Sequence, residues 1–194
     1  LIFDETHRGG ANLADTNRLT QAVEAAQRGE AHGWSALFER FYADVHAYAL
    51  ARLGDVTAAE DVTQDVFVAA VTSIKTLRDR REPAVQAWFL HICRHKVVDH
   101  IRRGSRQRGL GLEAQPPMGD PGAIAEMHLE ADRVRTAMVE LTEDQRDILV
   151  RRFVLDQSLE DVAATTRRSV GAVKSMQHRA LESLRRALRP KRAA

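Results

Sequence analysis

Ser158-Leu-Glu-Asp-Val-Ala-Ala-Thr-Thr-Arg-Arg-Ser-Val-Gly-Ala-Val-Lys-Ser-Met-Gln-His-Arg-Ala180 contains two helix starts in close succession. Ser158 followed by Asp161 has the spacing of a capping box, in which a hydroxyl and an acid satisfy each other's backbone amides. Ser169 can cap a second helix that runs to about Leu188. A short helix from Ser158 to Thr165, a turn through Thr166-Arg-Arg168 and a longer second helix form the length pattern of a helix-turn-helix. At about 100° per residue, Val170, Val173, Met176, Ala180, Leu181, Leu184 and Leu188 fall on one side of the second helix. Lys174, Ser175, His178, Arg179, Arg185 and Arg186 fall on the other, with Arg167 and Arg168 just before it. A basic, hydroxyl-bearing outer face on that helix suits the DNA major groove, where Arg and Lys meet guanine and phosphate. A plain solvated face is the alternative.

Upstream, Thr142-Glu-Asp-Gln145 is another capping-box sequence, so the C-terminal module begins before the helix-turn-helix. Five of the eleven glycines and three of the five prolines fall between Gly104 and Gly122, in a stretch with no apolar period. This composition predicts a flexible linker over residues 105–122, separating a domain at 17–104 from one at 123–190. In the first domain, Trp34, Leu37, Phe38, Phe41, Val45 and Tyr48 recur at three- and four-residue steps. Val62, Val66, Ala69, Ala70 and Leu77 mark a second helix from about Thr57 to Leu77. After Pro83 a third runs from about Ala84 to Arg103. No stretch alternates with period two for long enough to read as a strand. The prediction is an all-α chain of two small helical domains, the first with the better core, because eight of the ten aromatics lie between Trp34 and Phe89.

The net charge of +2 conceals a pattern. Residues 1–70 sum to −6, 71–112 to +7, 113–149 to −6 and 150–194 to +7. An acidic half followed by a basic half, twice over, suggests two modules that each offer one end to a polyanion and another to something else. The longest apolar run, Val66–Val71, is far shorter than a membrane span, so no membrane insertion is expected. Leu1 in place of Met suggests numbering that starts inside a longer or trimmed chain, and no secretory leader is read at the N-terminus. The single cysteine, Cys93, excludes an intramolecular disulfide and fits a cytoplasmic protein.

Two further surfaces could act. His91, His95, Val98 and Arg102 form one stripe along the third helix, with Arg94 beside it and Arg103 extending the charge. His91 and His95 have metal-ligand spacing, but no Glu follows His91 and no cysteine pair supports a site, so no metal and no cofactor are expected. On the second helix, Asp61, Gln64 and Asp65 stand at i, i+3 and i+4, away from Val62 and Val66. They could dock a basic protein partner, or stabilise the helix through its dipole. No Gly-rich phosphate loop, nucleophile elbow or triad is present, so no catalytic residue is assigned and an enzyme is not expected.

These residues resemble the extracytoplasmic-function (ECF) sigma factors of bacterial RNA polymerase. Ala59-Glu-Asp-Val-Thr-Gln-Asp-Val-Phe67 is similar to region 2.2 of that family, which binds the clamp helices of the polymerase β′ subunit. Trp88 through Arg103 resembles region 2.4, which contacts the promoter −10 element, and Leu141 through Ala180 resembles the domain that reads the −35 element. The resemblance implies that core polymerase, through β′ and the β flap, and promoter DNA are the partners, with an anti-sigma factor as a further expected one. It implies −10 contacts from His91, Arg94, His95, Arg102 and Arg103, and −35 contacts from Arg167, Arg168, Lys174, Ser175, His178 and Arg179. Asp61, Gln64 and Asp65 then face the polymerase, and the loop Arg78–Ala84 lies where the family captures a flipped −10 base. The sequence departs from the usual family pattern at His95, at Thr166-Arg-Arg168 and at Met176-Gln177. A stand-alone helix-turn-helix regulator is the competing reading, but it has no need of the acidic Asp61/Gln64/Asp65 face.

Overall fold

The computed structural model describes residues 13–109, 133–134 and 136–189, and the predicted linker from residue 110 onward lies outside them. Among the described residues every regular element is helical. The first domain consists of α1 (Leu13–Gln27), α2 (Ala31–Leu53), α3 (Val56–Ser73), a 3-10 turn (Ile74–Thr76) and α4 (Glu82–Gly109). The second consists of α5 (Glu143–Phe153), α6 (Leu159–Thr166) and α7 (Val170–Leu188), preceded by helical residues 136–139.

The core of the first domain gathers most of the predicted periodic residues, but Phe38, expected on the same face, is 47% exposed. Leu37, Phe41, Val45 and Tyr48 from α2, Val62 and Val66 from α3, and Val85, Phe89, Cys93 and Val97 from α4 are all essentially inaccessible to water. Phe89 is the hub, with its ring centroid 5.2 Å from both Phe41 and Phe67. α2 ends at Gly54, whose φ of 68° is the left-handed conformation that closes a helix cheaply only in glycine. Asp55 restarts the chain as N-cap of α3, accepting from the Ala58 amide at 2.7 Å.

Four features differ from the sequence reading. α1 was not anticipated, and it packs on α2 through Gly33, where a Cβ would lie 2.5 Å from the Ala26 nitrogen. The second helix was expected to continue to Leu77 but tightens into the 3-10 turn after Ser73. Gln27 holds that turn, its Nε2 donating to the carbonyls of Ile74 at 3.2 Å and Leu77 at 2.9 Å. α4 begins earlier, at Glu82, because proline is tolerated in the first turn of a helix where its missing N–H has no partner to lose. It also runs on to Gly109, past the predicted start of the linker.

The second domain follows its start signals closely. Thr142 with Gln145 and Ser158 with Asp161 both form complete capping boxes, and the Ser169 hydroxyl accepts from the Ala172 amide at 3.2 Å. Arg167 closes α6 with a φ of 55°, a left-handed position with a side chain where glycine is usual. The core here is thin. Ile148, Val162, Ala163 and Val173 form one cluster, and Leu141, Leu149 and Ala180 another. Val150 turns the other way and joins the core of the first domain, with Met138 and Leu155 packed beside it. The domains are therefore in contact, α5 lying against α2 and α6 against α4.

Candidate nucleic-acid and polymerase interfaces

α7 presents the face predicted for it. Lys174, Ser175, His178, Arg179, Arg185 and Arg186 are exposed, while Val173 and Ala180 anchor the opposite side. Val170, assigned to the buried side, is 39% exposed. Arg179 folds back on its own helix, its Nε donating to the Ser175 carbonyl at 3.4 Å. His178 lies 3.4 Å from Glu182, one turn on. Arg167 and Arg168 sit in the turn between α6 and α7, both exposed.

α4 carries the second basic surface. His91 and His95 meet edge to face with centroids 4.5 Å apart, and Arg102 and Arg103 are exposed beyond them. Among the described residues, no group of three His, Cys, Asp or Glu side chains is placed to hold a metal. Burial lowers the pKa of His91, and the nearby His95, Arg94, Arg151 and Arg167 lower it further. Two of those cations belong to the second domain. The loop between the 3-10 turn and α4 is ordered by Arg81, whose Nε donates to Asp79 at 3.0 Å and holds that carboxyl at about 2.

On α3, Asp61 and Gln64 are exposed and Asp65 is half-buried, 4.0 Å from Lys96. Val68 and Val71, one and two turns further, are 66% and 54% exposed, so the acidic group is continuous with an apolar strip. Phe38, 47% exposed, belongs to an aromatic group with Tyr42 and Phe67 on the adjoining helix.

Sequence reasoning missed the polar contacts between the domains. Tyr48, fully buried on α2, donates its hydroxyl to Asp147 at 2.6 Å. Asp147, also buried, accepts from Arg151 one turn on at 3.1 Å. Burial, with the adjoining carboxylate, pushes the Tyr48 pKa well up, so the phenol remains a donor. Arg52 donates to the Tyr48 oxygen at 3.0 Å and, through Nη2, to both oxygens of Glu143 at 2.8 and 2.7 Å. Arg94 of α4 reaches across to Asp144 at 2.7 Å, with Asp147 at 3.7 Å. Arg168 donates to the other oxygen of the same Asp144. A side-chain relay, Asp44 to Gln86 at 2.6 Å and Gln86 to Gln157 at 2.8 Å, closes the far side. The available signal was the acid-rich opening of α5, Thr142-Glu-Asp-Gln-Arg-Asp147, which was read only as a helix start.

These contacts wall a cleft of about 830 Å³ between the domains. His91, Arg94 and Trp88 line one side, and Arg167, Arg168 and Arg151 the other. Of the eleven residues proposed for DNA, four face this cleft, whereas Lys174, Ser175, His178 and Arg179 on α7 do not line it.

A helical bundle with an acidic and apolar outer face, followed by a helix-turn-helix with a basic one, is the arrangement of a sigma-70-type factor. Residues 37–107 match sigma-70 region 2 and residues 137–186 match sigma-70 region 4. The ECF RNA polymerase sigma factor SigD of Mycobacterium tuberculosis is 37% identical over 177 residues, covering 87% of this chain and 82% of that protein. The ECF RNA polymerase sigma factor BldN of Streptomyces coelicolor is 30% identical over 187 residues, covering 94% and 70%. The chain belongs to the ECF sigma factor family, and it binds core RNA polymerase and directs transcription initiation from promoter DNA.

Solved structures share the fold. CnrH in complex with the cytosolic domain of CnrY aligns with a TM-score of 0.63 at 24% identity, covering 88% of this chain and 96% of that one. The sigma factor RpoE of Bartonella quintana, in complex with the anti-sigma factor NepR, aligns at 0.57 and 23% identity, covering 80% and 96%. Among the described residues no helix is long and apolar enough to cross a membrane.

Proposed function

We propose a division of labour among the three surfaces. Asp61, Gln64 and Asp65 dock the first domain on the β′ clamp helices, with Val68 and Val71 supplying apolar area beside them. His91, Arg94, His95, Arg102 and Arg103 meet the −10 element, and the Arg78–Ala84 loop receives a flipped base there. Arg167, Arg168, Lys174, Ser175, His178 and Arg179 meet the −35 element, and the second domain also meets the β flap. The chain carries no catalytic group of its own and acts in the cytoplasm. An anti-sigma factor, of the kind bound to RpoE in the Bartonella complex, is its expected inhibitor.

The observation that carries this reading is the exposure of Lys174, Ser175, His178 and Arg179 along the N-terminal half of α7, the part that enters the major groove in a helix-turn-helix. The test uses holoenzyme and promoters that differ only in the −35 element. Lys174→Ala or Arg179→Ala should cost about 1–3 kcal/mol on the cognate element and blur discrimination against mutated ones. Arg186→Ala, further along the helix, should weaken all promoters alike and flatten the salt dependence by about one unit of slope. Equal losses on cognate and mutated elements for Lys174→Ala and Arg179→Ala would remove base reading from those side chains. For the polymerase face, Asp61→Lys with Asp65→Lys should abolish co-purification with core enzyme, and undiminished co-purification would sink that assignment.

A further inference from the structure

The loop Arg78–Ala84 is held by a helix to which the proposed function gives no part. Leu77 leads into it with extended backbone, φ −71° and ψ 110°, and a buried side chain. At the end of a helix the last carbonyls need partners from outside it. Gln27, the last residue of α1, supplies one, its Nε2 donating to the carbonyls of both Ile74 and Leu77. The other end of the same amide works further along the loop. Gln27 Oε1 accepts from Arg80 Nη2 at 3.1 Å, and Glu24, one turn back on the same face of α1, accepts from Arg80 Nη1 at 2.8 Å. One amide therefore grips the chain at Leu77 and at Arg80, on either side of Arg78 and Asp79.

α1 is itself fixed: Val23 and Ala26 are buried in the core, and Gly33 of α2 passes too close to the Ala26 backbone to admit a side chain. The rest of the loop is tied down as well. Arg81 donates to Asp79 from its backbone amide and from Nε, both at 3.0 Å, and Glu82 pairs with Arg40 of α2. Arg78 differs. It is exposed, and among the described residues it has no hydrogen bond or ion pair. A loop whose other charged side chains are all paired within the protein thus offers one guanidinium outward, in the form that suits a phosphate. Rigidity here has a purpose. Extruding a base from its stack costs free energy, and a receiving loop that had to be ordered at the same moment would add to that cost.

We propose that α1 positions the base-capture loop, with Gln27 and Arg80 gripping it on either side of Arg78 so that Arg78 meets the DNA backbone beside the captured base. The inference rests on the assignment of this loop to a flipped −10 base made above. Gln27, Glu24 and Arg80 are positioning residues and act only through the loop.

The test uses holoenzyme and a promoter fragment whose −10 non-template strand is left unpaired, with affinity read by fluorescence anisotropy. Each −10 base is replaced in turn by an abasic site, and the position with the largest loss marks the captured base. For the wild-type chain that loss should be about tenfold, the usual order for one base. In Gln27→Ala and in Arg80→Ala it should shrink to about twofold, the sign of coupling between these side chains and that base. Losses at the other positions, and co-purification with core enzyme, should stay as they were. Glu24→Gln keeps an acceptor for Arg80 and should retain most of the wild-type ratio. Val45→Ala removes core methyl groups from α2 and no side-chain hydrogen bond, so it should lower the thermal midpoint of the free chain and leave the ratio alone. Arg78→Ala should weaken intact and abasic strands alike and flatten the salt dependence by about 0.7 of a unit of slope, the single-strand value for one phosphate. A wild-type ratio that survives Gln27→Ala overturns the positioning role, and so does a ratio lost as fully in Val45→Ala. A salt slope untouched by Arg78→Ala overturns the backbone contact. If no −10 position stands out in the wild-type chain, the assignment of the loop to a flipped base fails and the inference falls with it; survival of the ratio in Gln27→Ala strikes the inference alone.

Discussion

Phe41, Phe67 and Phe89 pack ring against ring at the centre of the first domain, whereas the largest fully buried apolar side chain of the second is Ile148. One domain has a continuous core running through α2, α3 and α4. The other divides its few apolar residues into two clusters and lends Val150 to its neighbour. A unit of this size buries too small a fraction of its surface to be robust alone, so docking, whether on the first domain or on a partner, supplies part of its stability. The two halves therefore differ in how much of their stability is their own. The half with the continuous core also carries the face proposed above for polymerase.

The largest expected effect breaks the strong half. Phe89→Ala should cost the first domain about 3–5 kcal/mol, read as the urea midpoint of the full chain, and should carry the second domain with it because Val150 loses its seat. Val173→Ala should cost about 2–3 kcal/mol from two lost methyl groups and the cavity they leave, and only helices of the second domain should melt early. Hydrogen exchange resolved by segment distinguishes the two. A first domain destabilised equally by Val173→Ala would mean that the halves fold as one unit.

A smaller effect sharpens the boundary between them. Tyr48→Phe removes two hydrogen bonds, one to the Asp147 carboxylate and one accepted from Arg52, together worth about 1–3 kcal/mol, and the loss should be larger in the full chain than in a fragment ending at Gly109, which keeps only the Arg52 contact. The smallest effect concerns pH. His91 has a pKa below 6.5 with the domains in contact, first through burial and then through His95, Arg94, Arg151 and Arg167, with the carboxylates of Asp79, Asp144 and Asp147 lining the same cleft. A depressed pKa contributes to that contact above the ordinary value, and the contribution is lost as pH falls through the depressed one. Small-angle X-ray scattering should therefore show slight expansion below pH 6.5 in the wild-type chain, and less in His91→Ala.

The legible parts of the fold share a cause. Ser158, Ser169 and Thr142 announce helix starts through short-range chemistry that is complete within three residues, and the apolar period of α2 is written from Trp34 to Tyr48, over about four turns. α1 was illegible because its apolar face includes the alanines Ala22, Ala25 and Ala26, whose burial depends on a glycine in another helix. The positions of His178 and Arg179 on an open face could be read from a helical wheel. The roles of Arg94 and Arg168 could not, since both are fixed by Asp144, which is 50 and 24 residues away. Local rules find surfaces; they do not find what those surfaces touch in the same chain.

Cys93 lies at the centre of the first domain, fully inaccessible, with its thiol pushed up to about 12 by burial and its sulfur 3.7 Å from the Val45 carbonyl. A thiol that is neither ionised nor reachable reacts only when the helices around it part. The rate at which a disulfide reagent modifies the native chain is then a clock for the breathing of that bundle, with no engineered probe required. Held by polymerase, by DNA or by a protein inhibitor, the same sulfur would report how far each ligand slows that breathing. Cysteines added on the surface for dyes can be labelled beside it without removing it.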